Sequence, residues 1–284
     1  MEKTPNFAAM ERKLDDIEHY ITQLRHTIND KLFFLNKLDG DNYLFVDYGC
    51  ADGSMIINMD NIANKANKKH HFIGYDIAEE MINIAKSKYN GPSHFDVIFT
   101  TDWNVVLERM NALKRCDKVL ILSSVIHEVY SYGNERSIQE FWSRVLTSCF
   151  DYIVVRDMML PANINRPTDA ADLARVYDCD TTKPNLIALK QQIADFERIY
   201  GSLGNRKNFV HFLLKYRYNV NWNREVNENY FPISIEEFLD IMKSYYLQYF
   251  ERFRLSYLDE CLKDDFDLLM NEKTHIKAVF ERVK

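Results

Sequence analysis

The chain has 284 residues, a net charge of −6, 46% apolar and 27% charged residues; that length fits one large domain or a domain with a sizeable insertion and is ample to bury a core. No apolar run approaches the roughly 18 residues of a membrane span, and the mild acidity gives no sign of a nucleic-acid partner. Five scattered cysteines (Cys50, Cys116, Cys149, Cys179, Cys261) without a CxxC pair, and a first segment without an apolar leader core, point to neither a disulfide framework nor a zinc ribbon, and make a reducing cytoplasm the expected compartment.

Residues 10–38 carry Leu14, Ile17, Ile21, Leu24 and Ile28 at helical spacing, which predicts one long amphipathic helix or two short ones. DGDN (39–42) breaks it. Then strands and helices alternate. YLFVDYG (43–49), HHFIGYDI (70–77), FDVIFTT (95–101), KVLILSSVI (118–126) and DYIVVRDMML (151–160) read as strands. Between them, 54–67, 78–89, 103–115 and 135–149 read as helices. This alternation, with near-continuously apolar strands, predicts βα units and a mostly parallel α/β sheet. The alternation stops at Pro161. Residues 169–177 and 184–201 look helical, and 208–231 are aromatic and partly helical. From Ile233 the pattern resumes with a helix (234–245), a strand (247–258), a short helix and a last strand (275–283). The expected organisation is an N-terminal helical segment (1–40), an α/β domain (41–160 and 233–284), and a helical insertion or substrate lid (161–232). An insertion there lies at the carboxyl end of the sheet, where open α/β folds bind ligands.

The stretch LFVDYGCADGS (44–54) puts two glycines and two acids directly after the first strand. A glycine turn between a first strand and a helix lets a ligand approach the backbone closely. A further acid, Asp76, ends the second strand, where it can accept hydrogen bonds from both ribose hydroxyls of a nucleoside. VDYGCADG resembles motif I of the class I S-adenosylmethionine-dependent methyltransferases, E/D-x-G-x-G-x-G. Asp47, Gly49 and Gly53 match, and Ala51 stands where the middle glycine usually is. GYDIAEEMINIAK resembles the family's second motif, and TTDW its adenine-binding motif. The resemblance covers 41–160 well and 233–284 loosely, and it implies a doubly wound, mostly parallel seven-stranded sheet of that family's type. It implies S-adenosylmethionine as cofactor, with Asp47, Gly49, Cys50, Ala51 and Gly53 around its amino-acid end and Asp76 on the ribose. It further implies Ile77 and Met81 on the adenine side, Asp102 at the adenine amino group, Trp103 on the ring, and Ser123 at the end of the fourth strand. The dehydrogenase fingerprint G-x-G-x-x-G is the rival, but the spacing here is Gly49-x-x-x-Gly53.

The fourth strand runs into LSSVIHEVYSYG, the place where such enzymes carry residues next to the reactive methyl. His127 reads as a general base, with an ordinary pKa close to working pH. Glu128 reads as orienting it or holding an acceptor hydroxyl, with Tyr130 and Tyr132 as pocket walls. Small-RNA 3′-end 2′-O-methyltransferases carry an E-x-x-E-H metal motif near this point; here His precedes Glu and the upstream glutamate is missing, so no metal is expected. RDM (156–158) ends the fifth strand, and Arg156 and the adjoining acid Asp157 either close the substrate pocket or pair with each other. From Arg198 to Arg224 basic residues interleave with aromatics and no acid occurs. Such a run suits nucleic acid, a lid over a small anionic or aromatic substrate, or plain core packing. Arg217, Trp222, Arg224 and Tyr230 are the candidate substrate contacts.

The reading is therefore methyl transfer to an undetermined acceptor. A small molecule is favoured over RNA, and an oxygen or base-activated nitrogen over N/D-P-P-Y/F/W amino chemistry, whose motif is absent. The alternatives are a non-catalytic binding or activator subunit of the same fold, and a different reaction of the same cofactor such as aminopropyl transfer. The sequence leaves the oligomeric state open.

Overall fold

The structure is a computed structural model that describes residues 28–90 and 97–283. Most of the expected N-terminal helix (10–38) lies outside the described residues. What is described there is a short helix α1 (Ile28–Lys31) and a 3-10 turn (Phe33–Asn36).

Seven strands form one sheet: β1 (Tyr43–Tyr48), β2 (His71–Tyr75), β3 (Val97–Thr100), β4 (Asp117–Ser123), β5 (Tyr152–Met158), β6 (Tyr245–Phe253) and β7 (His275–Arg282), in the order β3-β2-β1-β4-β5-β7-β6. The first five pair in parallel, with Asp47 of β1 level with Gly74 of β2 and Ile121 of β4. Every residue of β1 is buried, as a strand with neighbours on both edges and helices on both faces demands. The chain builds β1 to β3 in one direction and then returns to lay β4 and β5 on the other side of β1. The strand order thus reverses between β1 and β4, and the crevice above that switch point is where such sheets take ligands.

The connecting helices are α2 (Ser54–Lys65), α3 (Glu79–Lys88), α4 (Trp103–Ala112), α5 (Ile126–Tyr132) and α6 (Glu135–Thr147). On one side of the sheet Phe34, Phe45, Ile56, Phe72, Ala85 and Phe99 pack into a common core. Helix α5 is a difference from the strand expected to run to Ile126. The strand stops at Ser123 because Ser124 takes a left-handed conformation (φ 59°), which ends extended backbone.

The chain divides into two compact units. Unit 1 comprises residues up to Asp157 with Met242–Glu251 and Lys277–Lys284, and unit 2 comprises Met158–Ile241 with Arg252–Ile276. Unit 2 holds α7 (Ala170–Tyr177), α8 (Leu189–Tyr200), α9 (Arg206–Leu213), α10 (Trp222–Glu225), α11 (Ile235–Ile241) and α12 (Ser256–Phe266). The sequence placed α12 with the α/β body. In the structure its apolar face (Leu258, Leu262, Phe266) joins Phe209, Phe212 and Tyr216 in the core of unit 2.

Candidate functional site

The glycine turn sits at the end of β1, pinned to the end of β2. The Gly49 and Cys50 N–H groups both donate to the Tyr75 carbonyl, at 2.8 and 3.0 Å. Three residues of the turn are left-handed: Gly49 (φ 78°), Ala51 (φ 47°) and Gly53 (φ 71°). The glycines are required sterically as well. A Cβ on Gly53 would lie 2.6 Å from the Phe99 ring and 2.8 Å from Ala85 Cβ, and one on Gly49 would meet Val125 Cγ2 at 3.0 Å. Ala51 takes the left-handed conformation with a side chain, which costs about 1–2 kcal/mol. Its N–H donates to Asp76 Oδ2 at 2.9 Å, while the Ala78 N–H donates to Asp76 Oδ1 at 2.9 Å. Asp76 thus ties the turn to the start of α3.

Asp47 lies beneath this turn, 2% exposed. Burial pushes its carboxyl up to about 7; nearby Lys31 opposes the shift, and Asp76 and Asp52 add to it. A buried carboxylate with so raised a pKa is stabilised by any cation brought beside it. Asp52, the other acid of the turn, is used locally. It accepts from the Ser54 N–H and hydroxyl and pairs with Lys88 at 2.5 Å.

The expected adenine side is mixed. Met81 is buried and Ile77 is half exposed at 50%. Asp102 is exposed and its carboxylate caps α4, accepting from the Asn104 N–H at 2.9 Å. The Trp103 indole is buried, with ring centroids 5.4 Å from Tyr48, 5.1 Å from Tyr75 and 6.4 Å from Phe150. It is the first residue of α4 and packs among these rings. Ser123 Oγ is buried without a hydrogen-bond partner among the described residues. An orphaned hydroxyl at a strand end is costly and suits a site completed by a ligand.

At the ends of β4 and β5 the structure joins residues that sequence kept apart. His127 is buried, and its Nδ1 lies 2.6 Å from Asp157 Oδ1, while the Ile126 N–H donates to Asp157 Oδ2 at 2.7 Å. Asp157 thus holds the Nδ1 side of the histidine ring, and Glu128 follows on α5 in a half-buried position. The alternative that Arg156 pairs with the adjoining acid is overturned. Neighbours on a strand point to opposite faces, so Arg156 turns away from Asp157. Its guanidinium donates to Asp30 at 2.7 Å and to Ser124 Oγ at 3.2 Å. Lys277 pairs with the same Asp30, which fixes α1 at this end of unit 1. Beside Asp30, the Lys31 amine is brought down to about 8 by burial and by Arg156, against the pull of Asp47, Glu128 and Asp157. Lys31 was missed in the sequence because it looks like any cation on an amphipathic helix. Tyr130 accepts a hydrogen bond from Trp142 Nε1 at 2.9 Å, and Tyr132 ends the same helix.

In unit 2 the basic and aromatic run is turned inward. Phe209, Phe212, Tyr216 and Trp222 belong to the core, so these rings are not open for stacking on bases. The acids absent from the run arrive from elsewhere. Arg206 meets Glu272 and Asp172 at 2.7 and 2.6 Å, and Arg217 meets Asp265 at 2.7 Å. Arg224 meets Glu228 at 2.7 Å. Trp222 Nε1 donates to Asp195 at 3.2 Å, and the buried Tyr230 hydroxyl donates to Glu225. Each of the four expected substrate contacts thus has an internal partner within unit 2.

The seven-stranded sheet in this order, with a glycine turn after β1 and an acid ending β2, has the fold of the class I methyltransferases. Among solved structures the chain is similar to a SAM-dependent methyltransferase from Archaeoglobus fulgidus (14% identity, TM-score 0.44, covering 91% of this chain and 94% of that one). It is also similar to a methyltransferase from Bacillus halodurans (12%, TM-score 0.46, 90% and 100%). A third is the magnesium protoporphyrin IX methyltransferase from Synechocystis with bound SAH (11%, TM-score 0.47, 96% and 89%). No family profile matches the chain. No curated protein matches it either. Among the described residues no helix is long and apolar enough to cross a membrane.

Proposed function

We propose that this protein transfers the methyl group of S-adenosylmethionine to an acceptor that carries a removable proton. The observation that carries the reading is the left-handed glycine turn with Asp47 buried beneath it and Asp76 hydrogen-bonded across to it. The residues fit the cofactor. Asp47, held near neutrality by burial, suits the amino-acid ammonium, and Asp76 suits the ribose hydroxyls. The orphaned Ser123 hydroxyl offers one more hydrogen bond. When bound, the cofactor supplies an electrophilic methyl on a sulfonium whose leaving group needs no protonation. The protein's part is then to position the acceptor and take its proton, and His127, buried against Asp157 just after β4, is the base assigned to that task. A small-molecule acceptor, oxygen or nitrogen, is favoured over RNA because the aromatic run of unit 2 is spent on its own core.

Calorimetric titration of the purified protein with S-adenosylmethionine and S-adenosylhomocysteine, with NADH as control, tests the cofactor. Micromolar binding of the first two, weakened about 100-fold in Asp76→Ala, is expected, since two hydrogen bonds to a charged group contribute roughly 3 kcal/mol. NADH binding in their place would move the chain to the dehydrogenases.

A further inference from the structure

We propose that Asp157 is a positioning residue that locks His127 in the tautomer carrying its proton on Nδ1, which makes Nε2 the nitrogen that accepts the proton of the methyl acceptor. The inference rests on the methyl-transfer reading and adds to it a role for Asp157 that the sequence pattern does not give. Asp157 is 1% exposed and His127 5%, so their contact is shielded from water and strong. The two carboxylate oxygens have separate tasks. Oδ2 accepts from the Ile126 backbone N–H at 2.7 Å, and Oδ1 lies 2.6 Å from His127 Nδ1. The backbone partner can only donate. As a carboxylate, Asp157 accepts at both oxygens, which assigns the Nδ1 proton to His127. The ring's lone pair is then on Nε2.

The balance of the step is simple. His127 Nε2 takes the proton that the acceptor loses as the acceptor's lone pair bonds the methyl carbon and the carbon–sulfur electron pair stays with sulfur. Asp157 keeps its charge throughout and stabilises the imidazolium that forms. Other charges of unit 1 lie close by, with the Lys31 amine within electrostatic range of Asp157, Glu128 and Asp47.

Asp157→Asn is the informative variant because it keeps the shape and changes the pattern. An amide has one oxygen. The Ile126 N–H claims it, which turns the NH₂ group toward His127 Nδ1 and forces that nitrogen to accept. The tautomer then reverses, as an Asp-to-Asn change does to a catalytic histidine in serine proteases.

The test is nitrogen NMR on full-length protein with ¹⁵N-labelled histidine, the His127 signals being assigned by difference from His127→Gln. The wild type is expected to show a protonated, pyrrole-type Nδ1 and a pyridine-type Nε2, and Asp157→Asn the reverse. A protonated Nε2 in the wild type, or an unchanged tautomer in Asp157→Asn, would overturn the lock. A histidine that merely staples two strand ends would give the same first result, so a second readout separates the roles. The His127 pKa is measured in the S-adenosylhomocysteine and S-adenosylmethionine complexes, which differ by a methyl and one positive charge at sulfur. A base beside the transferred methyl is expected to titrate about one to two units lower in the charged complex. Equal values would overturn the base role. Calorimetry on the same samples keeps the outcomes apart. If neither ligand binds, the cofactor reading falls and the base role with it, while the tautomer spectra still judge the lock.

Discussion

At the scale of single residues, Asp47 gives a pH prediction with a definite sign. Its folded pKa of about 7 lies above the ordinary 3.8 because burial disfavours the charge. Its contribution to folding stability therefore falls as pH rises from about 4 to 7. Binding of a cofactor ammonium requires the ionised form. S-adenosylmethionine affinity is expected to rise up to tenfold per pH unit below pH 7 and to level off above it, with a proton released on binding at pH 6.5. Calorimetry in buffers of different ionisation enthalpy measures that proton, and Asp47→Asn should flatten the profile. Ala51 makes a prediction of the opposite kind. It carries a side chain at φ 47°, where glycine is freer, so Ala51→Gly should stabilise the fold. The expected gain is about 0.5–1 kcal/mol after the glycine's extra unfolded-state entropy is subtracted. Urea unfolding reads this directly, and a loss of stability would mean that the turn relies on the alanine methyl.

At the scale of elements, the β1–α2 turn and the β4–α5 turn behave differently under substitution. Gly53 combines a left-handed backbone with contacts that a Cβ would violate at 2.6 and 2.8 Å. Gly53→Ala should cost about 2–4 kcal/mol, from conformational strain together with overpacking against Phe99 and Ala85. Thermal unfolding with and without the cofactor checks whether the loss lies in the fold or only in binding. The first turn was legible in sequence because glycines after an apolar strand have few other uses. The second was half legible. SSVIHE marked the place, but the apolar run carried the expected strand through Val125 to Ile126, the first residue of α5. Only the left-handed Ser124 ends it, and serine carries no such signal. The partner of His127 was hidden for a geometric reason. Asp157 is 30 residues away on the next strand, and its neighbour Arg156 drew attention through a pairing that the pleat of a strand forbids.

At the scale of the whole molecule, the two units bury charge differently. In unit 1 the acids Asp47 and Asp157 are buried near the ends of β1 and β5, and in unit 2 Lys215 is buried at 0% exposure. The Lys215 amine donates to the Glu225 and Glu228 carbonyls and lies 3.8 Å from the centroid of the Tyr230 ring. Burial brings its pKa down to about 7, against the pull of Glu225 and Glu228. The unfolded lysine titrates near 10.5. Between these values the unfolded chain binds the extra proton, so stability is expected to increase as pH rises from 7 toward 10.5. Urea unfolding of wild type and Lys215→Met at pH 7 and pH 9 isolates this group. The wild type should gain on the order of 2 kcal/mol relative to the variant. A difference that does not change with pH would mean that the amine stays charged, held by Glu225 and Glu228.

The sequence by itself determined the α/β alternation, the place of the glycine turn, the acids Asp47 and Asp76, and the helical character of the insertion. These are local properties: side-chain periodicity, turn chemistry and the end of a strand are written in neighbouring residues. Tertiary structure decided the rest. It set Asp157 against His127 and Asp30 against Arg156. It put Trp103 inside, and it answered the acid-free basic run of unit 2 with Asp172, Asp265 and Glu272 from outside that run. Pairings of this kind depend on which strands lie side by side and which face a residue takes. A charge's partner is chosen by distance in space, and the one-dimensional pattern records only distance along the chain.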